Sequence, residues 1–281
     1  MNYKELKGYL IAIDIDGTII DENFNKDIES LDLLKELSKN NIIVIASGRP
    51  YRSSKIYYDY LDLKSPIINY NGAYVHNPND PNFKEIMITI NKDNLIDLID
   101  NNKDYITNAF SEIKDDVYLI KEDETVEPFI DRLGANIIIG DYKETLKGNT
   151  NGSIIFSKYG AMDKLNNYIK EHNYPFLLRP WDFNHQLIIE VFNKDVSKAK
   201  ALDIIRKYYN IKKEHTIAFG DGHNDIEMLE YVRFGVAMEN SHPELIKNAK
   251  YITKSVKDHG IKDFFTKQNF LDNWHLYNYM L

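Results

Sequence analysis

The sequence predicts an α/β fold: a doubly wound, mostly parallel sheet interrupted by an inserted α+β module. Three observations predict it. Short apolar runs rich in β-branched residues, at 9–13, 42–46 and 215–219, alternate with segments of helical periodicity, which is the order of βαβ units. Each run ends in small or acidic turn residues, so side chains able to do chemistry fall at the carboxyl ends of strands. The length of 281 residues exceeds one ordinary α/β core and argues for two domains, or one domain with a large insertion.

The first run, Tyr9-Leu10-Ile11-Ala12-Ile13, suits a strand buried on both faces, and it ends in Asp14-Ile15-Asp16-Gly17-Thr18. Ligands of open α/β sheets bind at that edge, where following helices point their amino ends. Two carboxylates about 4 Å apart repel by roughly 4 kcal/mol at an effective dielectric near 20. A divalent cation is the simplest remedy, although an isolated D-x-D-G is equally compatible with a capped turn.

Ile28, Leu31, Leu34 and Leu37 then mark one face of a helix, and Asn40-Asn41 ends it. The second strand, 42–46, leads into Ser47-Gly48-Arg49-Pro50, with Pro50 placed to open another helix. A right-handed crossover delivers Ser47 to the same edge as Asp14. A hydroxyl and free backbone N–H groups at a helix start can hold a phosphate; a plain N-cap is the alternative. Residues 66–70 read as a third strand, Asn71-Gly72 as a tight turn into 73–75, and the Asn- and Pro-rich stretch 77–82 as a boundary.

Between 84 and 194 strand-like runs (86–90, 153–156, 176–178, 187–192) alternate with helix-like ones (95–99, 162–169) in α+β order. No motif of chemistry stands out. Arg179, Trp181 and His185 form a small cluster able to contact a ligand, though rim or core roles are the commoner reading. The module is expected to cover the crevice.

Lys198 stands in the first turn of a helix carrying Ala199, Leu202, Ile205 and Tyr209 on one side. A cation there opposes the macrodipole; a bound anion would account for it, and a solvated lysine is the alternative. The strand 215–219 ends in Gly220-Asp221-Gly222-His223-Asn224-Asp225, before a helix at 226–231. The loop lacks calcium-loop spacing and suits magnesium, with few carboxylates and several waters. His223 is read as exposed and incidental. A last strand at 234–238, a helix from Pro243 to Ala249 and an Asn-, Tyr- and Leu-containing tail from Gln268 complete the chain, the tail closing the fold or meeting a partner.

The net charge of −8 and pI near 5.5, without a basic stripe, argue against nucleic acid as a partner. No uncharged run is long enough to span a bilayer, and the polar start from Met1 to Lys7 reads as no signal sequence. Cysteine is absent, which excludes disulfides, thiolate metal sites and Cys nucleophiles. A soluble cytoplasmic protein is expected.

Together these motifs resemble the haloacid dehalogenase (HAD) superfamily, in particular its Cof-type phosphatase group with a large α/β cap between the second and third motifs. The resemblance rests on DIDGT at 14–18, ASGRP at 46–50, NYNGA at 69–73, VSKAKAL at 196–202, GDGHND at 220–225 and VAMENSHPELIKNAKYIT at 236–253. It implies a Rossmann-like core at 1–83 and 195–281 and a cap at 84–194. It further implies that Asp14 is the nucleophile, Asp16 the general acid/base, and Ser47, Gly48, Lys198 and Asn224 the phosphate-binding groups. Asp14, Asp221, Asp225 and the backbone carbonyl of Asp16 would hold Mg²⁺.

The chemistry of the side chains agrees. A carboxylate is ionised at neutral pH without help, so Asp14 needs no activating base, whereas a leaving alkoxide needs a proton. The expected activity is Mg²⁺-dependent hydrolysis of a small phosphorylated metabolite, a sugar phosphate, through an aspartyl-phosphate. The alternatives are a phosphosugar mutase and a non-catalytic phosphosugar sensor; the intact set Asp14, Asp16, Lys198 and Asp221 speaks against the sensor.

Overall fold

A computed structural model describes residues 3–183 and 185–267. The tail from Gln268 onward, expected to close the fold or meet a partner, lies outside the described residues. Contacts divide the chain into two compact units: one runs up to Arg49 and takes in Ser54–Glu85 and the chain from Ser197, and the other holds Pro50–Ser53 and Ile86–Val196.

The first unit opens with β1 (Leu10–Ile13), buried at all four residues as a central parallel strand demands. α1 (Ile28–Leu37) is N-capped by Asp27, whose carboxylate accepts from the Ser30 N–H, and it buries Leu31, Leu33, Leu34 and Leu37. Ile28 departs from the expected face: it is 45 % exposed, and Leu33 packs in its stead. β2 (Ile42–Ile45), α2 (Tyr51–Tyr60, of this unit from Ser54 on), β3 (Ile67–Asn69) and β4 (Tyr74–His76) follow, the last two as an antiparallel hairpin.

The second unit runs through β5 (Ile86–Met87), α3 (Lys92–Asp100), β6 (Ile106–Ile113), β7 (Asp116–Leu119), β8 (Asn136–Ile139), α4 (Tyr142–Thr145), β9 (Gly152–Ser157), α5 (Ala161–Glu171), β10 (Phe176–Phe183) and β11 (Gln186–Asn193). Its sheet has the order β10-β11-β9-β6-β7-β8, antiparallel except where β7 pairs with β8. Side chains alternate between its faces. Ala109, Tyr118, Ile155 and Ile189 join Leu95, Leu98 and Leu165 of α3 and α5 in one core, while Phe110, Val117, Phe156 and Ile188 pack with Val126 and Ile130 in another.

The chain returns to the first unit with α6 (Lys198–Tyr208), β12 (Thr216–Gly220), α7 (Ile226–Tyr231), β13 (Phe234–Ala237), α8 (Pro243–Asn248), β14 (Tyr251–Ile252) and α9 (Gly260–Thr266). The sheet order is β14-β13-β12-β1-β2, wholly parallel, and one bridge between Ala46 and Ile68 extends it towards β3. α1 packs with α9, whereas α6 packs with α7 and α7 with α8. From β1 the chain steps outward to β2; from β12 it steps the other way. The reversal between β1 and β12 is a topological switch point, where a crevice opens at the strands' carboxyl ends.

Candidate active site

The ladder between β1 and β12 sets the site. Ile13 pairs with Phe219, and the Asp14 N–H continues the pattern by donating to the Phe219 carbonyl at 3.1 Å. The loops carrying Asp14 and Asp221 therefore leave neighbouring strands at the switch point. Gly17 makes their approach possible. Its φ is +68°, and a Cβ there would fall 1.9 Å from Asp221 Oδ2, so a side chain at 17 would displace the carboxylate.

Lys198 is the first residue of α6, after Ser197, whose hydroxyl accepts from the Lys200 N–H. The helix start is seated by the turn between β3 and β4, where a Cβ on Gly72 (φ +106°) would lie 2.6 Å from the Ser197 carbonyl oxygen. The ammonium is fully buried and donates to Asp14 Oδ1 at 2.7 Å and to Asp225 Oδ1 at 2.6 Å. These two carboxylates answer the electrostatic objection to a lysine at a helix amino end. The other oxygen of Asp225 accepts from the Asp221 and Gly222 N–H groups at 3.1 and 3.0 Å, so this carboxylate is bonded at both oxygens.

Carboxylate oxygens of Asp14, Asp221 and Asp225 lie within 4.8 Å of one another. One ammonium against three carboxylates leaves two negative charges uncompensated when all are ionised. Burial, then the Asp225 carboxylate, pushes Asp14 well above the usual carboxylate range, and Lys198 only partly opposes this. Burial and Asp225 push Asp221 up to about 7. Burial alone would lower the Lys198 ammonium, but Asp14 and Asp225 outweigh it and hold it above the ordinary lysine value. An all-oxygen donor set with this charge deficit fits a hard divalent cation.

The other residues singled out from the sequence lie around this cluster or away from it. Ser47 is buried after β2, and its hydroxyl accepts from the Arg49 N–H at 3.2 Å. Asn224 donates to the side-chain oxygen of Asn71 at 2.8 Å, and Gly48 lies against that same Asn71 amide. The Asp16 carboxylate is not one of the three clustered acids; it is exposed and gripped by Arg49 through two hydrogen bonds, at 2.8 and 2.6 Å. His223 is exposed and lies 3.3 Å from Glu244.

Arg179, Trp181 and His185 do not form one cluster. Arg179 pairs with Glu190 across the β10–β11 ladder and lies over Phe192, Trp181 packs against Phe129, and His185 is exposed in the turn at φ +63°. Antiparallel pairing of β10 with β11 fixes this, because it puts Arg179 directly opposite an acid.

Two residues around the cluster were not singled out individually. Arg49 sits inside the ASGRP motif, but its partner is 33 positions away; Asn71 reads as a turn residue, and its φ of +56° agrees, yet nothing local shows that its side chain serves Asn224.

A family model described as haloacid dehalogenase-like hydrolase matches residues 11–265. The chain is 32 % identical over 267 residues to 5-amino-6-(5-phospho-D-ribitylamino)uracil phosphatase YitU of Bacillus subtilis, covering 92 % of this chain and 97 % of that protein. The crystal structure of TM0651 from Thermotoga maritima superposes with a TM-score of 0.75 at 24 % identity, covering 92 % of this chain and 96 % of that one. The HAD subclass IIB sugar phosphatase BT4131 gives a TM-score of 0.73 at 22 % identity, with 90 % and 96 % covered. Among the described residues no helix is long and apolar enough to cross a membrane. The chain belongs to the haloacid dehalogenase-like hydrolase family, and it is an enzyme of the phosphatase type.

Proposed function

We propose that the protein is a Mg²⁺-dependent cytoplasmic phosphatase that hydrolyses a small phosphorylated metabolite of the sugar-phosphate class through an aspartyl-phosphate on Asp14. The observation that carries the reading is the buried Lys198 ammonium bonded to both Asp14 and Asp225, with the Asp221 carboxylate in the same cluster. The named activity of YitU, on a phosphorylated ribityl compound, and that of BT4131, a sugar phosphatase, support this substrate class.

In this mechanism an oxygen of Asp14 attacks phosphorus, and the bond from phosphorus to the metabolite's oxygen breaks. Asp16 gives that departing oxygen its proton. Water then attacks phosphorus, the bond to Asp14 breaks with its electron pair returning to the carboxylate, and Asp16 takes the water's proton. Lys198 screens Asp14 from the incoming phosphate, while Ser47, the Gly48 N–H and Asn224 orient the phosphoryl oxygens. Asp14, Asp221, Asp225 and the Asp16 backbone carbonyl would hold Mg²⁺, which supplies positive charge to offset the phosphoryl oxygens. Selection of the metabolite is assigned to the inserted module, residues 84–194.

The test is release of inorganic phosphate from a panel of sugar and sugar-alcohol phosphates. Activity should fall by about 10³-fold or more in Asp14→Asn and vanish on chelation. Retained activity in a clean Asp14→Asn preparation would refute the nucleophile, and phosphate reappearing on the sugar instead of in solution would indicate a mutase.

A further inference from the structure

We propose that Arg49 is a positioning residue that holds the Asp16 carboxylate where it receives the proton of the hydrolytic water, so that Arg49 governs breakdown of the aspartyl-phosphate. The inference rests on the roles given above to Asp14 and Asp16. Its geometry is a two-pronged pair: Arg49 Nε to Asp16 Oδ2 at 2.8 Å and Nη2 to Oδ1 at 2.6 Å. Two parallel bonds fix the plane of a carboxylate as well as its place, which a single lysine contact does not.

Among the described residues, little else holds the Asp16 side chain. Its side chain is 55 % exposed, at the mouth of a turn, whereas Asp14 and Asp225 are fastened by burial and by Lys198. Arg49, by contrast, is tied at both ends. Its backbone N–H donates to Ser47 and its carbonyl accepts from the Asn69 side-chain amide at 2.9 Å and from the Tyr70 N–H at 3.3 Å. Its guanidinium lies over the ring of Phe24, 6.0 Å from the centroid. Phe24 is itself unusual: φ is +62° and the ring is 71 % exposed, a strained backbone that presents an aromatic face to solvent beside the cation. An exposed ion pair contributes about 0–1 kcal/mol to stability, so folding gives weak reason for this arrangement. Orientation of Asp16 gives a strong one.

The affected step is the attack of water on phosphorus. The phosphorus–oxygen bond to Asp14 breaks, its electron pair returns to the Asp14 carboxylate, and the proton of the water passes to an Asp16 oxygen. p-Nitrophenyl phosphate separates this step from the first, because nitrophenolate departs without being protonated.

With Mg²⁺ and rapid mixing, Arg49→Ala should release close to one nitrophenolate per active site in a burst. Turnover should then run about 10–100-fold more slowly than in the unaltered enzyme, with no rise in KM. Arg49→Lys, which keeps the charge and loses the fork, should lie between the two. It also carries the test if Arg49→Ala does not fold. A raised KM with unchanged kcat would make Arg49 a substrate-binding group and overturn the proposal, as would a slowed enzyme without a burst, or turnover equal to that of the unaltered enzyme. An unaltered enzyme that releases no phosphate, or an active Asp14→Asn, would instead sink the underlying reading of the site.

Discussion

Two buried ionic groupings in this chain are built on opposite terms. In the second unit Arg52 meets Glu112 and also donates to the carbonyls of Lys114 and Asp131; burial pushes Glu112 upward and Arg52 opposes it, so within the pair one cation faces one anion, with the Asp131 and Asp115 carboxylates acting more weakly. Around Lys198 one ammonium faces three acids. A balanced pair is satisfied by the protein alone. The unbalanced cluster keeps a charge deficit that a divalent cation would offset, and that deficit marks it as a candidate site instead of a structural brace.

The largest expected effect separates the two groupings. Lys198→Met should abolish turnover, by about 10³-fold or more, because both the phosphate and Asp14 lose their screening charge. Phosphate release by Lys198→Met above about a tenth of the unaltered rate would remove the distinction. Next, Arg52→Ala should lower the unfolding free energy by about 3–5 kcal/mol by stranding Glu112, whereas replacing both residues by Met and Leu should be close to neutral. Denaturant titration checks this; a double variant as unstable as Arg52→Ala would show that the pair is needed for more than its charge balance.

The third expectation concerns pH. In the metal-free protein Asp221 keeps its proton up to about 7, whereas the unfolded chain releases it near 4. The native state therefore binds more protons across that window, and stability is full below it and falls as pH rises through it. Mg²⁺ at a hundred times its dissociation constant should raise stability at pH 7.5 by about 2.7 kcal/mol. Melting curves with EDTA and with Mg²⁺ at several pH values measure both, and a midpoint indifferent to metal would break the claim that the cluster is incomplete.

Much of the first unit was legible because its strands are buried on both faces and so read as unbroken apolar runs, each ending in a motif. β1, β2 and β12 show this. The second unit shows β5, β9, β10 and β11 as strand-like runs but hides β6, β7 and β8. β6 reads Ile-Thr-Asn-Ala-Phe-Ser-Glu-Ile, and the polar residues that obscure it are buried with partners supplied from elsewhere. Ser111 bonds to Ser153 and accepts from Tyr142, and Asn108 donates to the Lys121 carbonyl. Those partners are absent from any local window, so β6 carries no strand signal of its own. β14 and α9 were missed as well, the former because two residues carry no period. In the site, the residues of the sequence motifs that meet at Lys198 could be named singly, but the supporting contacts of Arg49 and Asn71 span 33 and 153 positions and emerge only from folding.

The position of β1 has a consequence for synthesis. One of its edges is covered by β2, about thirty residues later, but the other waits for β12, where Leu10 pairs with Thr216. While a ribosome translates the intervening stretch, an apolar strand with an unpaired edge stands open to any neighbouring polypeptide. The same wait applies to Asp14, which gains its lysine and its acidic companions only after residue 225 has emerged. The nascent chain therefore cannot assemble the Lys198 cluster before its scaffold has closed, and mutations that slow closure should show first as insoluble product during expression rather than as a weakened purified enzyme.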